Sequence, residues 1–426
     1  MQYNSSQSNL VKIFLSILLL SLYTSIYIAQ TDTWSYKSNM PTARTFLGGC
    51  VLEGKFYAIG GDEDYTPSSA VEVYDPITDS WQILANMPSA LCYPQVCTFS
   101  SKIFVFGGAQ GVYQPRRNVV YEYDPTIDTW TQKDDMPQKA GCSGISLLND
   151  IIYLFGTQTS HDSPPDTRVI AYDIINEVWT EKANMITPRS NASACVVNGK
   201  IYVIGGSTEN WRDVFYKHVE VYDPTTDEWT AKADMPTGRW GLTTVVINGL
   251  IYAIGGRSGG FSTPANEVYD PAANTWTTMS PMNEARSAPV GGVIDNKIYV
   301  VGGHNSPDYN VSRVLEVYSP MIVSIDDEDV YSSQARIYQL YNNYPNPFNP
   351  STIIKYSIPK QTNVTLKVFD ALGSEVATLI DKENPQGKYE IEFDPSADGV
   401  GLSSGIYFYR LRTGDFVETK KMILLK

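Results

Sequence analysis

The sequence predicts an all-β protein: six repeated units followed by a smaller β domain. Three observations carry this. Trp recurs at 34, 81, 130, 179, 229 and 276, a period of 47 to 50 residues. Within each period, short apolar stretches alternate with turn-forming residues. Tyr, which favours strands, occurs 29 times.

The N-terminal element is not part of the repeat. Lys12 precedes an apolar run, Ile13–Leu22, and Ala29 offers a small residue for a cut, so residues 1–29 read as a secretory signal peptide. The run is short and diluted by Ser, Tyr and Thr for a membrane span. No Cys follows it closely, which argues against a lipoprotein.

The repeat comes next, over residues 31–320. Gly-Gly pairs stand at 60, 107, 205, 255 and 302, with Gly156-Thr157 as a degenerate sixth. From each Trp to the following Gly-Gly the spacing is 26 residues in all six units. From Tyr74, Tyr123, Tyr172, Tyr222 and Tyr269 to the following Trp it is always 7. From Gly-Gly to Tyr it varies between 14 and 17, so length variation is confined to one segment of each unit.

Each unit reads as four strands. "SACVVNG" and "KIYVIGG" form a hairpin across Asn-Gly. "VEVYDP" alternates apolar and polar residues, and its Asp-Pro turns the chain into "EWTAKA". The array starts with an isolated fourth strand, "DTWSYKSNMP" at 32–41, and ends at Tyr318-Ser319-Pro320 without a Trp. The first strand is therefore expected to complete the sixth unit beside residues 286–320, leaving no open edge.

Residues 321–336 carry an acidic cluster without the repeat and read as a linker. Residues 337–426 return to alternation, in "VTLKVFD" and "GIYFYRLRTG", with Pro and Asn turns between, and read as a small β-sandwich.

Composition narrows the function classes. The formal net charge is −14, which repels a phosphate backbone, so nucleic acid is excluded as a partner. The five cysteines make no disulfide framework. Cys50, Cys97 and Cys195 each precede an aromatic by seven residues, as equivalent buried strand positions. No Cys/His spacing suits a metal, and no cofactor motif stands out.

The Gly-Gly after an apolar strand, the Tyr and Trp beyond it, and the "MP" with a following Arg resemble the Kelch repeat. The resemblance implies a six-bladed β-propeller over 31–320, each repeat one blade. The tail resembles the C-terminal sorting domain of the type IX (Por) secretion system. The matching stretches are "YPNPFNPST" at 344–352, "VFDALGSEV" at 368–376, "SGIYFYRL" at 404–411 and "KKMILLK" at 420–426. That implies an Ig-like sandwich, contact with the secretion machinery, and a secreted or outer-membrane surface location in a Gram-negative cell. Flagellar-hook-capping Ig-like modules are similar, so a structural Ig-like domain is the other reading.

In a propeller the second-to-third-strand loops and the fourth-to-first connections share a face. The variable segments belong to that face, and variable loops on a rigid scaffold carry binding. Two Trp fall outside the repeat: Trp211 in the longest loop and Trp240 in "MPTGRWG". Their aromatic faces suit a sugar or a peptide, or they pack their own loops. Arg recurs after "MP" at 44, 189, 239 and 286, with Leu91 and Ala140 in the other two units. Recurrence favours an inter-blade ion pair, while an Arg fork also suits a carboxylate. Arg212 and Arg257 do not recur and are better ligand candidates. His161, His218 and His304 all lie between Gly-Gly and Tyr. The expected ligand-binding set is Trp211, Arg212, Arg239, Trp240, Arg257 and His304.

The expected function is a non-enzymatic binding module for a glycan or protein. Because six-bladed Kelch proteins include a sialic acid epimerase, the resemblance also implies a carbohydrate-processing enzyme as the alternative. Such an enzyme should show acid and base groups converging at the channel mouth with shifted pKa values. The copper oxidases among Kelch propellers have a Tyr/Cys/His site that is not recognisable here. Adhesion through a flat surface is a third reading.

Overall fold

The computed structural model describes residues 32–139, 141, 144–156, 163–207, 215–320, 338–341, 343, 346, 348–371, 373–395, 401–414 and 416–425. The expected signal peptide and linker, Cys142, His161, Trp211 and Arg212 lie outside them.

Six four-stranded antiparallel sheets account for residues 33–319. Blade 1 runs from the axis outward as Gly48–Leu52, Lys55–Ile59, Val71–Asp75 and Ser80–Leu84. The four following blades repeat that order. The innermost strands touch one another in a closed circle, blade 6 returning to blade 1. Position decides each strand's pattern. The second strand, such as Lys200–Ile204, is apolar and buried along nearly its whole length because a neighbouring blade covers each face. The outer strand, such as Glu228–Lys232, is exposed except at Trp229 and Lys232, which are half-buried. Hydrophobic cores accordingly lie between blades: Tyr57, Ile59 and Val71 of blade 1 pack with Ile103, Val105 and Tyr123 of blade 2.

Closure follows the expected route. Thr33–Lys37 is the outer strand of blade 6 and pairs antiparallel with Leu315–Ser319, from Thr33↔Ser319 to Lys37↔Leu315. The other two strands of that blade are Lys297–Val301 and Val290–Ile294.

The repeated residues are the joints between blades. Trp229 Nε1 donates to the Ala183 carbonyl of the preceding blade at 2.8 Å. The Ala183 amide in turn donates to Asp227 at 2.9 Å, and Asp227 accepts the Tyr222 hydroxyl at 2.6 Å. The same staple recurs at Trp81, Trp130 and Trp276, and Trp34 makes it across the seam to Ser280. Gly-Gly serves a different joint. Gly206 N donates to the Arg239 carbonyl of the next blade at 3.0 Å. A Cβ on Gly205, where φ is +68°, would stand 2.6 Å from that same carbonyl oxygen, so only glycine lets the two backbones approach.

The tail forms a sandwich of two sheets. One holds Gln339–Leu340, Thr352–Ile358 and Gly387–Phe393; the other holds Glu375–Asn384, Thr362–Phe369, Gly405–Thr413 and Phe416–Leu424. Ile354, Tyr356, Leu366, Val368, Tyr409, Leu411 and Met422 fill the space between them.

Candidate functional site

On the loop face, the residue after each Gly-Gly pairs with the residue that leads into the first strand. These bridges are Thr45↔Asp62, Cys92↔Ala109, Ser190↔Ser207, Trp240↔Arg257 and Ser287↔His304. The next residue, Phe46, Tyr93, Asn191, Gly241 or Ala288, has positive φ each time. These left-handed residues are tied blade to blade: Tyr93 N donates to Phe46 O at 2.8 Å, Gly241 N to Asn191 O at 2.9 Å, and Ala288 N to Gly241 O at 2.8 Å. The backbone around the axis is thus fixed and repeated, while the side chains it carries differ in every blade.

Those side chains converge around the axis. Phe46 of blade 1, Cys92, Tyr93, Ala109 and Val112 of blade 2 and Trp240 of blade 5 form an apolar plug, flanked by Phe215, Ala288 and Tyr309, and polar groups gather beside it where blades 5, 6 and 1 meet. Arg257 opens the hairpin Arg257–Ser258/Phe261–Ser262. Its guanidinium carbon lies 5.8 Å from the centre of the Trp240 ring. Its Nε donates to Gly260 O at 3.2 Å; its terminal nitrogens have no hydrogen-bond partner among the described residues. Arg257 is half-buried, so this cation stays partly solvated.

His304 is 1% exposed. Its Nδ1 lies 2.9 Å from Thr45 Oγ1, and its ring packs 4.6 Å from Tyr309 and 5.3 Å from Phe46. Burial, and then the Arg257 charge, push its pKa down to about 4, so the imidazole is neutral at pH 7. Asp62 is 0% exposed and accepts from the Tyr65 amide at 2.7 Å and the Tyr309 hydroxyl at 3.5 Å. Its Oδ2 has no partner among the described residues, and burial raises its pKa. Burial, and then Asp62, raise the pKa of Tyr309, which stacks on Tyr65 at 4.6 Å. A neutral imidazole and a buried carboxyl whose pKa is raised are thus joined by a phenol that touches both. Such a set can donate and accept hydrogen bonds, and can in principle move a proton.

The expected site residues divide. Arg257, Trp240 and His304 come together at this junction. Trp240 is 1% exposed, so it belongs to the plug and is not an open stacking platform. Arg239 serves the blade. It is 0% exposed and donates to Glu267 at 2.5 Å, Ala253 O at 2.8 Å and Thr237 O at 2.9 Å. Arg44–Glu72, Arg189–Glu220 and Arg286–Glu316 repeat the pair, each within one blade and not between blades as expected. Where the arginine becomes Leu91 or Ala140, the glutamate position becomes Tyr121 or Ile170. That exchange of both partners together was legible in the sequence and marks the arginine as scaffold. His218 lies one residue before its strand and stacks on Tyr216 at 4.9 Å.

Asp62, Tyr309, Thr45 and Phe46 were missed. Asp62 occupies the same position after Gly-Gly as Arg257 and His304, and that register was the available signal. Tyr309 sits within a variable loop and left no signal. Among the described residues, no group of three or more His, Cys, Asp or Glu is placed to hold a metal ion.

The fold and its inter-blade joints define a closed six-bladed β-propeller followed by a β-sandwich. The family comparisons make this specific: the chain is a Kelch-repeat protein carrying a type IX secretion C-terminal sorting domain. Residues 43–88 and 90–137 match the Kelch motif, and 142–321 match the KLHDC2/KLHL20/DRC7 Kelch-repeats domain. Residues 342–425 match the secretion system C-terminal sorting domain, which supports a secreted or cell-surface protein and contact with that secretion machinery. No curated protein matches the chain. The solved structure of YjhT is similar in fold, with a TM-score of 0.58 at 14% identity over 66% of this chain and 96% of that one.

Proposed function

We propose that the propeller is a non-enzymatic binding module of a secreted or surface protein. In this reading, the junction of blades 5, 6 and 1 receives a glycan or protein ligand carrying a carboxylate. The observation behind it is Arg257, a half-buried cation whose terminal nitrogens have no hydrogen-bond partner among the described residues and which rests against Trp240. A guanidinium fork matches a carboxylate in two hydrogen bonds, and a partly dry setting strengthens them. The test is calorimetric titration with acidic and neutral oligosaccharides and acidic peptides, for wild type and Arg257→Ala. An acidic ligand should bind and weaken by about tenfold or more in the variant, the worth of a charge-assisted pair. Equal affinity in both proteins would refute the site.

A second reading is catalysis, favoured by the convergence of Asp62, Tyr309 and His304. Proton transfer on a bound sugar would need these three groups. NMR of each bound ligand over hours separates the readings: a changed ligand, unchanged with Asp62→Asn, supports the enzyme.

A further inference from the structure

We propose that the top of blade 6 carries a second binding site, separate from the axis, for a neutral oligosaccharide. A cavity of about 520 Å³ opens there, within the usual range for ligand sites. Its polar lining includes Asn39, Asn283, Glu284, Asn305, Asn310 and Arg313. None of the four carboxamides hydrogen-bonds to another described residue, and all four are exposed. A carboxamide presents a donor and an acceptor side by side, the pattern that neighbouring sugar hydroxyls complement. Tyr36, 55% exposed on the outer strand and within electrostatic reach of Glu284, supplies an aromatic face beside these groups.

Charge and polarity select the ligand class. Glu284 and Arg313 have opposite signs, and Arg286, the other cation of the lining, is buried and paired with Glu316 at 2.9 Å, so the groove offers no net attraction to an anion. Its apolar lining is limited to Ala285, Val311 and Val314, too little to anchor a peptide side chain. A neutral, hydroxyl-rich chain fits both facts.

The groove lies at one of the two places where the repeat breaks. Pro41, Pro88, Pro137 and Pro236 follow the repeat methionines, but Met185 is followed by Ile186, whose amide donates to Glu220 at 3.1 Å, and Met282 is followed by Asn283-Glu284. The amides of both residues donate to Glu316, at 2.8 and 3.3 Å, a bond that proline could not make at 283. The Asn283 side chain is left facing solvent. Asn305 and Asn310 pair in the two-stranded hairpin whose neighbouring residue, His304, packs at the axis. One hairpin thus serves two separate sites.

The site is assembled by ring closure. Asn39 follows the first strand, on which Tyr36 stands opposite Glu316 at the edge of the groove, the other groups come from residues 283–313, and Met40 N holds the two sides together through Arg313 O at 2.9 Å. A ligand bridging them clamps the seam. The inference does not depend on the ligand proposed for the axis.

The experiment titrates the secreted protein with neutral gluco-, manno-, galacto- and xylo-oligosaccharides, by calorimetry and thermal unfolding. One of these probes should bind and raise the unfolding temperature. Asn305→Ala/Asn310→Ala and Tyr36→Ala, all surface changes, should each weaken it about tenfold, the worth of two hydrogen bonds or one stacked ring. Arg257→Ala should leave it unchanged. Three results would overturn the inference: no probe binding, binding that survives the groove variants, or binding abolished by Arg257→Ala.

Discussion

Arg239→Leu should destabilise the propeller far more than the exposed-surface average, and Glu267→Tyr on top of it should restore most of the loss. In the wild type, both charges are within 3% of complete burial; the terminal nitrogens of Arg239 donate to Glu267 and to backbone carbonyls, and Glu267 also accepts the Thr237 hydroxyl at 2.7 Å. Removing the arginine alone strands a buried carboxylate, which costs about 3–5 kcal/mol. That corresponds to a fall of roughly 6–15 °C in unfolding temperature for a domain of this size. Blade 2 shows the apolar solution, Leu91 with Tyr121, where the Tyr121 hydroxyl lies 3.0 Å from Ser89 Oγ. Thr237 stands at the position of Ser89 and could serve the introduced phenol. The double variant should therefore lie within about 1–2 kcal/mol of wild type, as replacement of a buried pair by apolar groups is often near neutral. Urea unfolding followed by Trp fluorescence, run as a double-mutant cycle, measures the coupling. Additive losses in the double variant would refute the claim that pairing, and not each residue's own packing, sets the cost.

Two further outcomes follow from the geometry. His304 has its folded pKa depressed from about 6.5 to about 4, so it contributes stability that is present above pH 6.5 and lost as pH falls toward 4. The full loss is roughly 3 kcal/mol at 1.36 kcal/mol per pH unit. Asp62, whose pKa is raised, acts in the opposite sense, so the effect is read as wild type minus His304→Gln in urea midpoints across that range. A difference that does not change with pH would refute the assignment. Gly205→Ala should cost about 2–4 kcal/mol, from left-handed strain plus the clash with Arg239 O. Gly199→Ala, also at positive φ but with nothing within 4 Å, should cost only about 1 kcal/mol, and equal losses would remove the close-approach argument.

What the sequence made legible was whatever the fold needs six times. The 26-residue spacing reports the Trp staple and the Gly-Gly contact, because each blade meets the next in the same way. The lone first strand announced the seam for the same reason. The axis resisted reading because its backbone repeats while its side chains do not: Asp62, Arg257 and His304 share a position but no chemistry. Trp240 looked like a ligand platform since it falls outside the repeat, yet an irregular residue can also be the piece that fills an irregular hole. Arg239 was ambiguous only when read alone; beside Glu267, and against Leu91 with Tyr121, it was a structural pair.

The seam strand also fixes when folding can finish. Thr33–Lys37 leaves the ribosome before every other strand of the propeller and must wait for Leu315–Ser319 before its hydrogen bonds exist. Contacts between residues so far apart in the chain form late and slowly. Until then the apolar faces that blades 1 and 6 bury against each other have no partner. The sorting domain at 342–425 follows almost directly on the residue that completes the ring. The propeller therefore cannot close before residue 319 has been made, and the order of its strands supplies that delay.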